Sequence, residues 1–464
     1  MFRSKLAKNI IECMLLLTIT CLILAKVTDI CQLNGKFYDE AEEVDVMFFG
    51  SSRMINGVYP MQLWKDYGIT SYNLGAHANL LPATYWEMEN AVEINEPKLI
   101  VLDTYGVSHN YKYETPEYLH KWMDEVPFGL TKIKSVIDLN DDKLKNEEIE
   151  NGTVDGKFMG STEEFLWNFI KYHSRWDELY DEDFNPPKLT EKGAEARIRV
   201  ESYEDNRGIN DGISISEEYV GEQYLRKFIE SCQNRGIEVL LVYMPSVNKE
   251  DHYPQINRSE EIAKEYGLSF LNLFDNGLVD FQTDFYDEKH VNPLGAKKIT
   301  DYVGQYIVDN YDIEDKRNDT SISEKWNDDY KKYVYYMSEV FVREEELKNT
   351  LLVTKFDVFD CIFEIYNPEV IHDELNSALL KKMNIDVSEA ERVIAETNSC
   401  LIIVHGDGTP SSICSVEEVP EESRKNLKYG QTYLNVQKEL FEPDCNIRIT
   451  LTDTLNGGSY TKEF

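Results

Sequence analysis

Positive charge is scarce in this chain: 48 lysines and arginines stand against 85 aspartates and glutamates, for a formal net charge of −37. Holding a phosphate backbone takes clustered cations, so nucleic acid is not an expected partner. Long apolar runs are nearly absent as well. Residues 10–27, IIECMLLLTITCLILAKV, are the one stretch about long enough to cross a bilayer, which argues against a multi-span protein. The eight cysteines make no C-x-x-C motif and keep no set spacing to histidine, so no zinc site is legible and no metal or other cofactor is expected. Cys361, Cys400, Cys414 and Cys445 gather toward the C-terminus, where disulfides are open outside the cytoplasm, but spacing does not define their pairing.

What is present begins at the N-terminus, where Arg3, Lys5 and Lys8 precede the apolar run. The following LILAKVTDICQ offers a poor small-x-small cleavage site, which favours an uncleaved signal anchor over a removed signal peptide. The positive-inside bias then predicts a cytoplasmic tail and transmembrane anchor over residues 1–30, with the bulk of a single-pass cell-membrane protein outside the cytoplasm.

At 464 residues the chain is too long for one comfortable core. From Val44 onward short apolar runs alternate with helical stretches, the rhythm of a parallel sheet wrapped by helices. Strands are expected at 44–50, 71–75, 98–105, 237–245 and 269–274, with helices near 59–67, 82–95, 216–235 and 257–267 and after Pro293. Residues 106–215 break the rhythm and read as an insertion over the sheet's carboxyl edge, with an amphipathic stretch at 163–180. A polar segment, 313–327, lacks apolar periodicity and reads as a linker. Residues 328–464 read as a smaller α+β domain, with helices near 328–349 and 373–383 and strands at 351–359, 400–406 and 446–453, and no motif with evident chemistry.

Chemistry is suggested at two places. VDVMFFGSSR ends a strand on Gly50, Ser51 and Ser52, and a serine at a strand-to-helix corner can project its hydroxyl into a cleft beside free backbone N–H groups. The same corner is also an ordinary βα turn in which one serine caps the helix. Near the end of the α/β unit, YDEKHVNP sets Asp287 three residues before His290, a base with a carboxylate to fix its tautomer.

With these two blocks the chain resembles the SGNH (GDSL-like) hydrolase superfamily, whose first block ends a strand with Gly-x-Ser and whose last is Asp-x-x-His. YNLG supplies Gly75 where that family places an oxyanion N–H. The third block, Gly-x-Asn-Asp, is replaced by VLDTYGVSHN. The anchor, FFGSSR, the insertion with YHSRW and HVNPLGAKK are similar to the membrane-anchored branch, which includes the teichoic acid D-alanyl transfer protein and the alginate O-acetylation proteins. The resemblance covers residues 44–310. It implies a flavodoxin-like three-layer α/β/α domain over residues 40–312, with Ser52 as nucleophile, His290 as general base, Asp287 as its orienting partner, and the N–H groups of Ser52 and Gly75 as oxyanion hole. Ser51 is then a structural residue of the turn.

The function so implied is extracytoplasmic acyl transfer to, or ester removal from, a cell-envelope polysaccharide or teichoic-acid-like polymer, with a multi-span membrane acyltransferase as a possible partner. Arg53 is a substrate-binding candidate that could equally sit in an ion pair. His173 and Arg175 could line a sugar site or simply pack the insertion. The alternative is a degenerate SGNH-like domain that binds polymer or docks on a membrane acyltransferase without turnover.

Overall fold

The computed structural model describes residues 2–31, 37–40, 44–140, 162–172, 175, 178–180, 191–205, 207–216, 218–247, 252–356, 358–406, 411–415 and 445–464. Five strands, β1 (Val46–Phe49), β2 (Ser71–Asn73), β3 (Leu99–Asp103), β4 (Glu238–Tyr243) and β5 (Ser269–Asn272), form a wholly parallel sheet in the order β2-β1-β3-β4-β5. The chain builds outward in two directions from the middle of such a sheet, leaving a crevice at the carboxyl ends of β1 and β3 where ligands of doubly wound sheets bind.

The central strands β1, β3 and β4 are short apolar runs because both faces are covered. Met47, Phe49, Ile100, Leu102, Val239 and Leu241 face one core, with the helices Leu81–Ala91 and Val220–Arg235. Val46, Phe48, Leu99, Val101, Leu240 and Val242 face the other, with the helix Pro293–Asn310. The expectation of a mixed α/β unit around a parallel sheet is met.

Part of the expected insertion forms a third, smaller core in which Leu119, Trp122, Met123, Val136, Leu139 and Phe165 pack against Ala76 and Ala83. The described start of the amphipathic stretch forms two short helices, Thr162–Leu166 and Asn168–Tyr172.

The C-terminal region holds an antiparallel sheet in the order β10-β9-β6-β7-β8, made of β6 (Phe359–Ile365), β7 (Cys400–Val404), β8 (Ser412–Cys414), β9 (Ile447–Asp453) and β10 (Ser459–Glu463). Two expectations need correcting here. The run at 351–359 is the end of a helix, Leu347–Val353, and the strand starts only at Phe359. The polar segment at 313–327 is largely helical: Asp319 caps the helix Thr320–Arg343, accepting from the Ser321 N–H at 3.0 Å. Its Trp326 is buried against Trp64 of the helix Pro60–Tyr67, rings 5.4 Å apart, and Trp64 Nε1 donates to Asn327 Oδ1 at 3.0 Å. Lys192 reaches Asp329 at 2.8 Å. The C-terminal region is therefore seated on the parallel-sheet unit from residue 320 on.

The N-terminal run lies in a helix, Phe2–Cys31, with Ile10, Leu15, Leu16 and Leu22 exposed. Among the described residues no helix is long and apolar enough to cross a membrane. Among the described residues, Cys13, Cys21, Cys232, Cys361, Cys400 and Cys445 form no disulfide.

Candidate functional site

The site is built at the carboxyl ends of β1 and β3. Gly50 leaves β1 at φ +153°, and a Cβ there would meet the Cβ of Asp103 at 2.8 Å, so the corner requires glycine on two counts. Ser51 takes extended backbone and caps the helix Ser52–Gly57, its Oγ accepting from the Arg53 N–H at 3.3 Å. Ser52 is the first residue of that helix. An N–H in a first helical turn finds no acceptor within the helix, and its dipole favours negative charge nearby.

The second half arrives 238 residues later. Asn292 caps the helix Pro293–Asn310, accepting from the Leu294 N–H at 3.0 Å, and its amide donates back to the carbonyls of Thr283 at 2.8 Å and Phe285 at 3.2 Å. The turn before it closes through the Tyr286 N–H on the His290 carbonyl at 2.8 Å. So held, His290 places Nε2 2.7 Å from Ser52 Oγ and Nδ1 2.8 and 2.9 Å from the two oxygens of Asp287. Asp287 also accepts from the N–H groups of Lys289 and His290. Burial alone would raise the Asp287 carboxyl, but the His290 hydrogen bond and these backbone donors outweigh it and hold it below the usual range. A carboxylate on Nδ1 selects the tautomer whose Nε2 is free to accept from the serine hydroxyl. The three residues singled out from the sequence, Ser52, His290 and Asp287, are thus brought together.

Gly75 is near but differently engaged. Its backbone lies against Ser51 and Ile55, where a Cβ would meet the Ser51 carbonyl and the Ile55 nitrogen at 3.0 Å. Its N–H, expected to face an oxyanion, instead donates to Asn73 Oδ1 at 3.0 Å. The cause is Asn73, a buried residue that sequence reasoning missed. Its Nδ2 donates to the carbonyls of Met54 at 2.8 Å and Val58 at 2.9 Å, fastening the Ser52 helix to β2 and turning its own carbonyl toward Gly75. The only signal was an asparagine at the end of an apolar strand.

Arg53 is buried rather than displayed to solvent. Its guanidinium carbon lies 3.8 Å from the centre of the Tyr105 ring, and Nη1 is buried without a hydrogen-bond partner. Asp103, buried alongside, accepts from the N–H groups of Met244 and Tyr105. Burial pushes its carboxyl up to about 6 despite the opposing pull of Arg53. Of the remaining expectations, His173 lies outside the described residues. Arg175 lies near Tyr172, whose hydroxyl donates to Asp124 at 2.6 Å, in the insertion's polar cluster.

The segment 191–203 crosses the front of this corner. The Glu195 N–H donates to the Ile55 carbonyl at 3.1 Å, His77 Nε2 lies 3.2 Å from Glu195, and Arg197 and Arg199 flank the ring of Tyr286. These residues were also unread in the sequence, since nothing local ties them to the serine.

No protein-family model and no curated protein matches this chain.

Proposed function

We propose that this protein is an extracytoplasmic serine acyltransferase or esterase of the SGNH type, acting on O-acyl groups of a cell-envelope polysaccharide or teichoic-acid-like polymer. One observation carries the reading: Ser52, His290 and Asp287 form a continuous hydrogen-bonded chain at the crevice of a doubly wound sheet. In this reading Ser52 Oγ adds to the acyl carbonyl carbon as its proton passes to His290 Nε2. The bond to the donor alcohol breaks, and the leaving alkoxide takes that proton. A polymer hydroxyl or water then gives its proton to His290 and attacks the acyl-serine; the bond from the acyl carbon to Ser52 Oγ breaks and Oγ takes the proton back from His290, regenerating Ser52. Asp287 stabilises the imidazolium at each half-reaction.

The cellular part of the proposal rests on the sequence: a single N-terminal anchor preceded by Arg3, Lys5 and Lys8, with a multi-span membrane acyltransferase as candidate partner. The apolar run continues through residues 25–27, whose side chains lie outside the described set.

Turnover of a chromogenic acetyl ester by the purified full chain tests the chemistry. Ser52→Ala should abolish it, and unchanged turnover would remove the serine from the mechanism. Envelope polysaccharide acylation compared with and without the gene tests the substrate. A second reading, binding without turnover, is favoured by the engaged Gly75 N–H, which leaves the oxyanion hole short of a donor. An inactive wild-type chain that still binds polymer would support it.

A further inference from the structure

The missing donor has a replacement beside Ser52. Other arginines in this protein hold carboxylates: Arg226 and Arg258 both grip Glu222, and Arg448 reaches Glu364. Arg53 makes no such close ion pair among the described residues: the buried Asp103 carboxylate lies alongside it, yet Nη1 is left without a hydrogen-bond acceptor although only 4% of the residue's surface is exposed. A buried cation left without a hydrogen-bond acceptor is costly, and it persists where an acceptor arrives from outside the chain.

Its location says which acceptor. In the β1–β3 register Phe49 is level with Leu102, and Gly50 abuts Asp103 one step further on. Tyr105 follows at the carboxyl edge of β3, and the guanidinium lies against its ring. This is the edge where the resemblance places an asparagine donor that the chain lacks, next to the strand that delivers Ser52. Lying over the Tyr105 ring, the guanidinium is held in place without any of its N–H hydrogen bonds being spent on that contact.

We propose that Arg53 completes the oxyanion hole, donating with the Ser52 N–H to the carbonyl oxygen of an ester substrate as Ser52 Oγ adds to it. This rests on the acyl-transfer reading above. As the carbonyl π bond opens, its electron pair moves onto oxygen, and a preorganised cation stabilises that charge more than it does the neutral ester. When the tetrahedral species collapses the pair returns to the carbonyl, and the alcohol leaves with the proton held by His290. Arg53 gives up no proton in the cycle.

The test uses the full chain and a chromogenic acetyl ester, with Arg53→Met beside Ser52→Ala. Arg53→Met should lower kcat by about 10²–10³-fold, the cost of losing one oxyanion donor, with KM changed by less than about threefold. Its thermal midpoint, measured alongside, separates any loss of stability from the loss of kcat, because Asp103 loses a neighbouring cation. A kcat within threefold of wild type, or a loss confined to KM, while Ser52→Ala is inactive, would overturn the role of Arg53 and leave the serine chemistry standing. Full activity of Ser52→Ala would instead overturn the underlying reading. Should Arg53→Met fail to fold, Arg53→Lys decides by the same measurement: loss of the planar fork should cost kcat about tenfold or more, and an unchanged kcat would overturn the proposal.

Discussion

The carboxyl edge of the parallel sheet and the C-terminal unit treat buried polar groups differently. Around the antiparallel sheet they are paired: Glu364 is buried against Arg448, which also reaches Glu463. At the carboxyl edge of the parallel sheet, Arg53 Nη1 and Asp103 Oδ2 are both buried without partners, a few residues from the Ser52–His290 contact. Satisfied polar groups hold a fold together; unsatisfied ones, being costly, mark where a fold was shaped for something else. On the proposed reading, chemistry belongs to the first unit.

The sharpest way to break that contrast is through activity. His290→Gln should cut ester turnover by roughly 10²–10⁴-fold, the range for loss of a general base. Arg448→Met, removing the partner of a buried carboxylate in the other unit, should cost stability while leaving kcat of the folded fraction within about twofold. Equal losses of kcat in both variants would erase the distinction.

Next in size is the joint between the units. Trp326→Ala removes a buried indole packed on Trp64 and should cost about 3–5 kcal/mol, the usual range for truncating a core aromatic. Denaturation followed separately at the two units should then show two transitions. A single unshifted transition would mean that the stacked tryptophans do not couple them.

The smallest expected effect concerns pH. Burial pushes the Glu191 carboxyl up to about 7, despite a hydrogen bond from the Ala196 N–H. The folded state therefore binds this proton more tightly than the unfolded chain, whose glutamates titrate near 4.3. Its contribution is favourable below that value and is lost as pH rises through about 7. Glu191→Gln should flatten the stability profile between about pH 4.5 and 7 and raise stability at pH 8 by about 1–2 kcal/mol. Parallel profiles for variant and wild type would show that Glu191 is not held in its neutral form.

How much of this could be read from sequence follows from which contacts are local. The central strands β1, β3 and β4 were legible because burial on both faces makes them nearly unbroken apolar runs, although residues 104–105 and 273–274, read as strand, are loop beyond the carboxyl ends. Ser52, His290 and Asp287 were legible because their two blocks carry recognisable spacings. In the C-terminal region the antiparallel strand FDCIFEI alternates apolar with polar residues and was overlooked in favour of the more apolar LLV before it, which ends a helix. The helix beginning at Thr320 was taken for linker because its first exposed turns are polar and the apolar face becomes regular only from Trp326 on. The engagement of Gly75 and the burial of Arg53 depend on one side chain meeting a backbone or ring brought in by the fold, and no spacing announces such a meeting.

The helix that begins with Ser52 is only six residues long, far below the length at which a helix sustains itself in water. Its shape is lent by Asn73 on β2, and its reactive partner comes from a turn more than two hundred residues downstream. During synthesis, then, the serine emerges early but has neither a fixed geometry nor a base until the last strand and the turn after it have docked. A nascent or clipped chain carries the hydroxyl without its base, and on the proposed reading the onset of esterase activity becomes a late clock for folding of the entire parallel-sheet unit.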